Sequence, residues 1–400
     1  MNVMSAERRT TERLAGSEYV ARARALIPVL DAAGARIEAE RELPADLLDA
    51  MHGAEIFRTL LPRSVGGGEV HPANFVQVTE AIAMGDGSAG WTVCQGSGCS
   101  MTAAYLAPNI AREVFGPANA VLAWGYGPNG NAVECEGGYR VTGKWSFASG
   151  SRHATWLGGH SIVCAPDGTP RRNAEGQAIE RTMLFPRSSA TIIDDWHVMG
   201  LRGTGSDSYT VKDLFVPAPY SAARDSDADR RETGNLYRFT SLNMYAAGFG
   251  GVALGLARAM LNAFIALAQA KTPTALAVSL RDNPVIQSQV GLAEARLRAA
   301  RTHLLQSLRD IYDEVAETGA MTLDQRITIR MASTYAIHQA RDVAEFVWQE
   351  AGSTAIFLKN PFERRFRDIH TVTQQAQGKS AHFETVGQHY LGLKASGRFL

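Results

Sequence analysis

At 400 residues the chain exceeds what one hydrophobic core usually organises, so two or three domains are expected. Its 40 basic and 40 acidic side chains cancel, which removes the electrostatic footprint of a nucleic-acid binder. No basic cluster flanks an amphipathic helix, which argues against a membrane-surface protein, and 45% hydrophobic with 20% charged residues is a globular composition.

Met1 to Leu14 is charged and has no apolar core, so no secretory signal is expected there and a cytoplasmic location is. Cys94, Cys99, Cys135 and Cys164 show no C-x-x-C pairing, as for structural thiols in a reducing compartment. Up to about Pro117 the pattern is helical: Val20, Ala23, Ile27, Leu30 and Ala33 recur at three- and four-residue steps, and Pro28 predicts a kink. Leu43-Pro44 opens another helix, Arg63 to Gly68 breaks the pattern, and helical text resumes from His71 to Ala83 and again after Asp86-Gly87-Ser88.

Between about Ala118 and Arg224 short β-branched and aromatic runs alternate with turn residues. Strands are predicted at Ala132–Glu134, Tyr139–Thr142, Thr155–Val163, Thr182–Phe185, Thr191–Val198 and Tyr209–Val216, a pattern that suits a small barrel or sandwich. Asp225 to Gly234 is charged and non-periodic, a linker or surface loop. The apolar tract Ala246 to Ala270 is interrupted by Arg258, Asn262 and Gln269 and suits a buried helix better than a membrane span. Apolar stripes from Ile286 to Val315 and from Ile329 to Val347 then predict long helices packed as an antiparallel bundle. The expected class is therefore α+β multidomain, with an N-terminal helical domain (1–117), a middle β-barrel (118–228) and a C-terminal four-helix bundle (229–400).

The familiar catalytic signatures are absent: no G-x-G-x-x-G, P-loop, H-E-x-x-H or G-x-S-x-G, and no histidines at metal-ligand spacing, so no metal is expected. Three stretches stand out. Gly137 to Gly150 is a hairpin running into Trp145-x-x-x-Ser149-Gly150, where a Trp beside hydroxyls can wall a planar ring; a hairpin with a core Trp reads equally well. Met199 to Asp207 places glycines and hydroxyls where backbone amides can approach a ligand, or simply forms a tight turn. Gln349 to Ser353, followed by Asn360 to His370, sets a dense charged group between apolar helical runs; its plain explanation is a salt-bridged helix start, since Pro361 suits a first turn.

In this order the stretches resemble the acyl-CoA dehydrogenase superfamily, together with Leu43-Pro44, Phe57 to Pro62, Gly66-Gly67, Gly143-Lys144-Trp145 and Arg367-Asp368. Nearly the whole chain is covered. That resemblance implies flavin at the barrel–bundle junction and a homotetramer in which a neighbour completes the cofactor site. By the same carry-over Trp145 and Ser149 lie beside the flavin ring, Arg281 reaches its phosphate across the interface, and Gln349 with Gly352 continues that contact. In the dehydrogenases a carboxylate removes the substrate α-proton, and Asp368 falls where it would sit.

A closer resemblance is to the branch of flavin-dependent monooxygenases on this fold, carried by Asp86 to Trp91, Trp145-x-Phe147-Ala148-Ser149-Gly150, Arg202-Gly203-Thr204-Gly205-Ser206 and Arg367-Asp368-Ile369-His370. It implies reduced flavin, FMNH2 in preference to FADH2, delivered by a separate reductase, with O2 as co-substrate and a small aromatic compound oxygenated through a C4a-hydroperoxide. Under it His370 would hydrogen-bond the adduct and help deprotonate the substrate, Ser149 would hold the ring at N5 or nearby, Arg202, Gly203 and Thr204 would contact cofactor, and Trp91, Cys94, Gln95, Tyr126 and His153 would meet substrate. Positions two apart project about 200° apart on a helix, so Asp368 and His370 cannot both face the flavin, and Arg365 or Arg367 is available to pair Asp368. The alternative is a dehydrogenase or oxidase with Asp368 as base.

Overall fold

The computed structural model describes residues 16–272 and 278–395; the charged stretch Met1 to Leu14 lies outside them. Six helices come first: α1 (Gly16–Ala25), α2 (Ile27–Glu40), α3 (Ala45–Gly53), α4 (Pro72–Gly85), α5 (Gly87–Ser100) and α6 (Pro108–Phe115). Pro28 does not kink a continuous helix. It sits in the first turn of α2, where its missing N–H costs nothing. His71 caps α4 by accepting from the Ala73 N–H, and Asp86 caps α5 by accepting from the Ala89 N–H at 3.0 Å.

Eight strands follow: β1 (Leu122–Trp124), β2 (Gly130–Cys135), β3 (Gly138–Trp145), β4 (Trp156–Cys164), β5 (Glu180–Pro186), β6 (Thr191–Ile193), β7 (Ser208–Pro217) and β8 (Ser221–Ala222). They form one mixed sheet in the order β6-β7-β3-β2-β4-β5-β8, with β1 added in parallel to β4. The edge strands are not paired to each other, so the sheet is open where a hydrogen-bonded barrel was expected. It nevertheless curls round one core: Tyr209 on β7 and Phe185 on β5, four strands apart in the sheet, bring their ring centroids within 6.3 Å, and both meet Trp145. The predicted strand Thr191–Val198 stops at Ile193, because Asp194 and Asp195 turn to bind Arg41 with Arg152 and the Ser208 N–H respectively.

Among the described residues that follow, the helices are α7 (Ser241–Ala270), α8 (Pro284–Thr318), α9 (Leu323–Ala351), α10 (Glu363–Thr373) and α11 (His382–Tyr390). Three of these helices are long and two short. α7 is long and apolar enough to cross a membrane, yet it is packed between α4 and α9, in line with the buried helix expected from its interrupted apolar tract. Gly255 permits this, since a Cβ there would lie 2.2 Å from the Glu80 carbonyl oxygen on α4.

Candidate active site

The two loops singled out in the sequence are zipped together at one end of the sheet. The Ala148 N–H donates to the Asp207 carbonyl, the Gly150 N–H to the Thr204 carbonyl at 2.9 Å, and the Ser151 hydroxyl to the Gly205 carbonyl. Buried Asp207 also holds Arg152 at 2.6 Å, so the loops are fixed by charge as well as backbone. Phe147 adopts a left-handed backbone (φ 62°) and projects a ring that is 65% exposed, edge-on to Trp196.

This zipper carries a chain of hydroxyls. The Trp91 indole N–H donates to Ser149 Oγ at 2.9 Å; Ser149 and Ser206 hydroxyls lie 2.7 Å apart, as do those of Ser206 and Thr204; Thr204 then donates to the Leu201 carbonyl. Leu201 is buried with φ 52°, and its N–H donates to Asp368 Oδ1 at 2.6 Å. The relay lines a cavity of about 630 Å³, within the usual range for a small-molecule site. Trp91, stacked on Phe249 at 3.9 Å, and Tyr245 form an aromatic wall; Tyr126, 54% exposed, stands at the mouth.

The helix α10 meets this cavity differently from expectation. Thr371, with Gln374 and Gln375 just beyond the helix, lines it. His370 does not. It is turned toward α9, with Nε2 2.9 Å from Glu345 Oε1, though without the alignment of a hydrogen bond, and its ring lies against Phe366. Asp368 is on the opposite side of α10, 2% exposed and behind the wall, where it holds Leu201 rather than meeting a substrate. Helical geometry separates the two as expected, but of α10 itself only Thr371 meets the cavity. Neither arginine pairs Asp368: Arg365 binds Asp31, and Arg367 binds Glu38 and Glu363. Burial, reinforced by the neighbouring Asp86 carboxylate, pushes Asp368 up to about 7; Asp86 is also raised by burial, which the nearby Arg364 opposes.

Of the residues expected at the site, Ser149, Thr204, Trp91, Gln95 and Tyr126 line the cavity. Trp145 does not: it is fully buried in the sheet core, stacked on Tyr209 and donating to the His160 carbonyl, the core role its hairpin also allowed. Cys94 is buried behind the wall against Tyr245, and His153 lies under Gly150 beside Phe57, where burial drops its pKa to about 3. Gly203 presses on Ile37 and donates its N–H to Ser88; Arg202 keeps a buried Nε without a partner among the described residues. Arg281, Gln349 and Gly352 lie away from the cavity, at the end of the bundle where Lys271 bonds the Ala351 carbonyl and its backbone carbonyl accepts from Leu280.

Sequence reasoning missed Phe147 and Ser206 as wall residues although both lay inside the quoted motifs. It also missed Trp124, His160, Arg224 and Tyr245, whose cavity position depends on how the sheet meets α7. No local spacing signals that.

A family model described as "Acyl-CoA dehydrogenase, C-terminal domain" matches residues 247–379. The chain is 31% identical to an indole-3-acetate monooxygenase of Pseudomonas putida over 88% of each sequence. It is 26% identical to the oxygenase component of an FADH(2)-dependent resorcinol hydroxylase of Rhizobium sp. over the full length of both. The solved structure of XiaF from Streptomyces sp., in complex with FADH2 and glycerol, superposes with a TM-score of 0.88 at 24% identity, covering 96% of this chain and 98% of that one.

Proposed function

The chain belongs to the flavin-dependent monooxygenases built on the acyl-CoA dehydrogenase fold, and from that premise we propose that it is an oxygenase component fed with reduced flavin by a separate reductase. It transfers one atom of O2 to a small aromatic substrate and releases the other as water, with two electrons drawn from the reduced flavin. FADH2 is the form named for the resorcinol hydroxylase and bound in XiaF, which favours it here over the FMNH2 expected from sequence.

The residues present fit a flavin. A planar heteroaromatic needs apolar faces and hydrogen bonds at its edge, and the cavity joins exposed Phe147 and Tyr126 to the Ser149–Ser206–Thr204 hydroxyls. When bound, the reduced flavin supplies the activation of O2. This chain's own residues hold and seal the reaction. Ser149, fixed by Trp91 and Ser206, presents an oriented hydroxyl; Trp91, Tyr245 and Phe249 exclude water; Thr371, Gln374 and Gln375 offer polar contacts that do not titrate. His370 and Asp368, outside the wall, support the site from behind. The dehydrogenase alternative loses its base, since Asp368 has one oxygen on Leu201 and no access to the cavity.

The observation that carries this reading is the hydroxyl relay in an aromatic cavity. A homotetramer goes with it: Arg281, Gln349 and Gly352 are exposed at one end of the bundle, near exposed Ile356, Phe357 and Leu358 that a neighbouring copy would cover. All four cysteines are free thiols, which suits the cytoplasm. The test supplies the protein with reductase, NADH, flavin and isotopically heavy O2, against a panel of phenols and indoles. One heavy oxygen atom per product molecule is expected; products that are only dehydrogenated would contradict it.

A further inference from the structure

The same cavity wall holds a half-buried cation. Arg224 follows β8 and precedes the linker to α7. Its Nε–H donates to Thr182 Oγ1 at 2.8 Å, and its guanidinium carbon lies 4.6 Å from the centroid of Trp124. These two contacts hold the plane of the fork. Its terminal nitrogens reach only Ser241 Oγ at 3.4 Å and His160 Nδ1 at 3.5 Å, both long for a charged donor. Among the described residues it forms no ion pair.

Neither carboxylate on the wall is within ion-pair distance of it among the described residues. Asp225 spends both oxygens on the start of α7, one on the Ser241 N–H at 2.9 Å and one on the Ser241 hydroxyl at 2.8 Å. A left-handed backbone at Asp225 (φ 60°) sets it there. Lys379, exposed at the rim, adds charge of the same sign. A guanidinium withdrawn from water without a carboxylate costs free energy that a ligand can return. The surfaces beside it, Trp124 and Tyr245, are aromatic.

Resting on the oxygenase reading, we propose that Arg224 binds the carboxylate of the substrate, so that the substrate class is an aromatic acid, with its ring against Trp91, Tyr245 and Phe249. The fork geometry accepts a carboxylate through two parallel N–H···O bonds.

The test is a panel of arylacetates and benzoates, each compared with its primary amide, by calorimetric Kd on the flavin-free protein and by kcat/KM with reductase present. At least one acid should bind about thirtyfold or more tightly than its amide. In Arg224→Gln that preference should fall to about threefold or less, mainly through weaker binding of the acid, and Arg224→Lys should restore part of it. The amide arm shows whether the variants still fold around a ligand. No acid preferred in the wild type, or a preference surviving Arg224→Gln, overturns the assignment. If heavy oxygen enters the product without acid preference, only the role of Arg224 fails. If acid preference holds but products carry no heavy oxygen, the oxygenase reading fails and the anchor stands.

Discussion

Asp368 shows how a single carboxylate can serve structure at a cost that depends on pH. Buried beside Asp86, it titrates near 7 in the folded chain and near 4 when unfolded. The folded state therefore holds the proton more tightly, and stability falls as pH rises from about 4 to about 7. Asn at this position keeps an acceptor for the Leu201 N–H and removes the titration. Asp368→Asn should therefore flatten the decline of Tm over that interval, read by thermal denaturation at stepped pH; an unchanged profile would contradict the role. His370 gives the complementary prediction. A general base lost from an active site costs about a hundredfold or more, whereas His370→Ala, outside the cavity, should keep turnover within about threefold of wild type. Residue identity alone does not distinguish these roles. His, Asp and Ser at motif positions were legible in the sequence, but which of them touches a ligand is set by rotation about α10, and the quoted motif ended before Gln374 and Gln375.

At the scale of elements, α10 is registered against the Met199–Gly200 loop by Arg367 and Thr371. Gly200 sits so close that a Cβ would lie 2.3 Å from the Arg367 carbonyl oxygen, and the Arg367 guanidinium donates to the Met199 carbonyl. The loop bearing Thr204 and Ser206 is thus clamped between α10 and the 147–151 turn. The contact of α7 with α4 is equally tight. Gly255→Val would push the Glu80 backbone away and should destabilise the fold by about 3 kcal/mol, seen as a lower urea midpoint at unchanged slope. A midpoint equal to wild type would show that the two helices can separate without loss. The order of helices, strands and long helices was readable from periodicity, because each element repeats its own pattern. Closure of the sheet was not, because it depends on which edge strands pair: β8 is too short to leave a pattern, and β6, although it left one, ends earlier than its apolar run.

For the whole molecule, the cavity lies where the curled sheet, α5, α7 and α10 converge, so no one segment contains the site. A bound ring would cover Phe147 and Tyr126, and a second copy would cover the apolar end of the bundle. Concentration-dependent sedimentation should accordingly give a species four times the chain mass, with Ile356→Asp and Leu358→Asp together dissociating it. The central claim, oxygen activation by a reduced flavin held in this cavity, is tested most directly by rapid mixing. Reduced FAD bound anaerobically to the protein is mixed with oxygenated buffer and its reoxidation followed by absorbance. The structure predicts a lag before oxidised flavin appears, shortened in Ser149→Ala. Single-phase reoxidation at the rate of free flavin, or oxidised flavin bleached by substrate without oxygen, would contradict it.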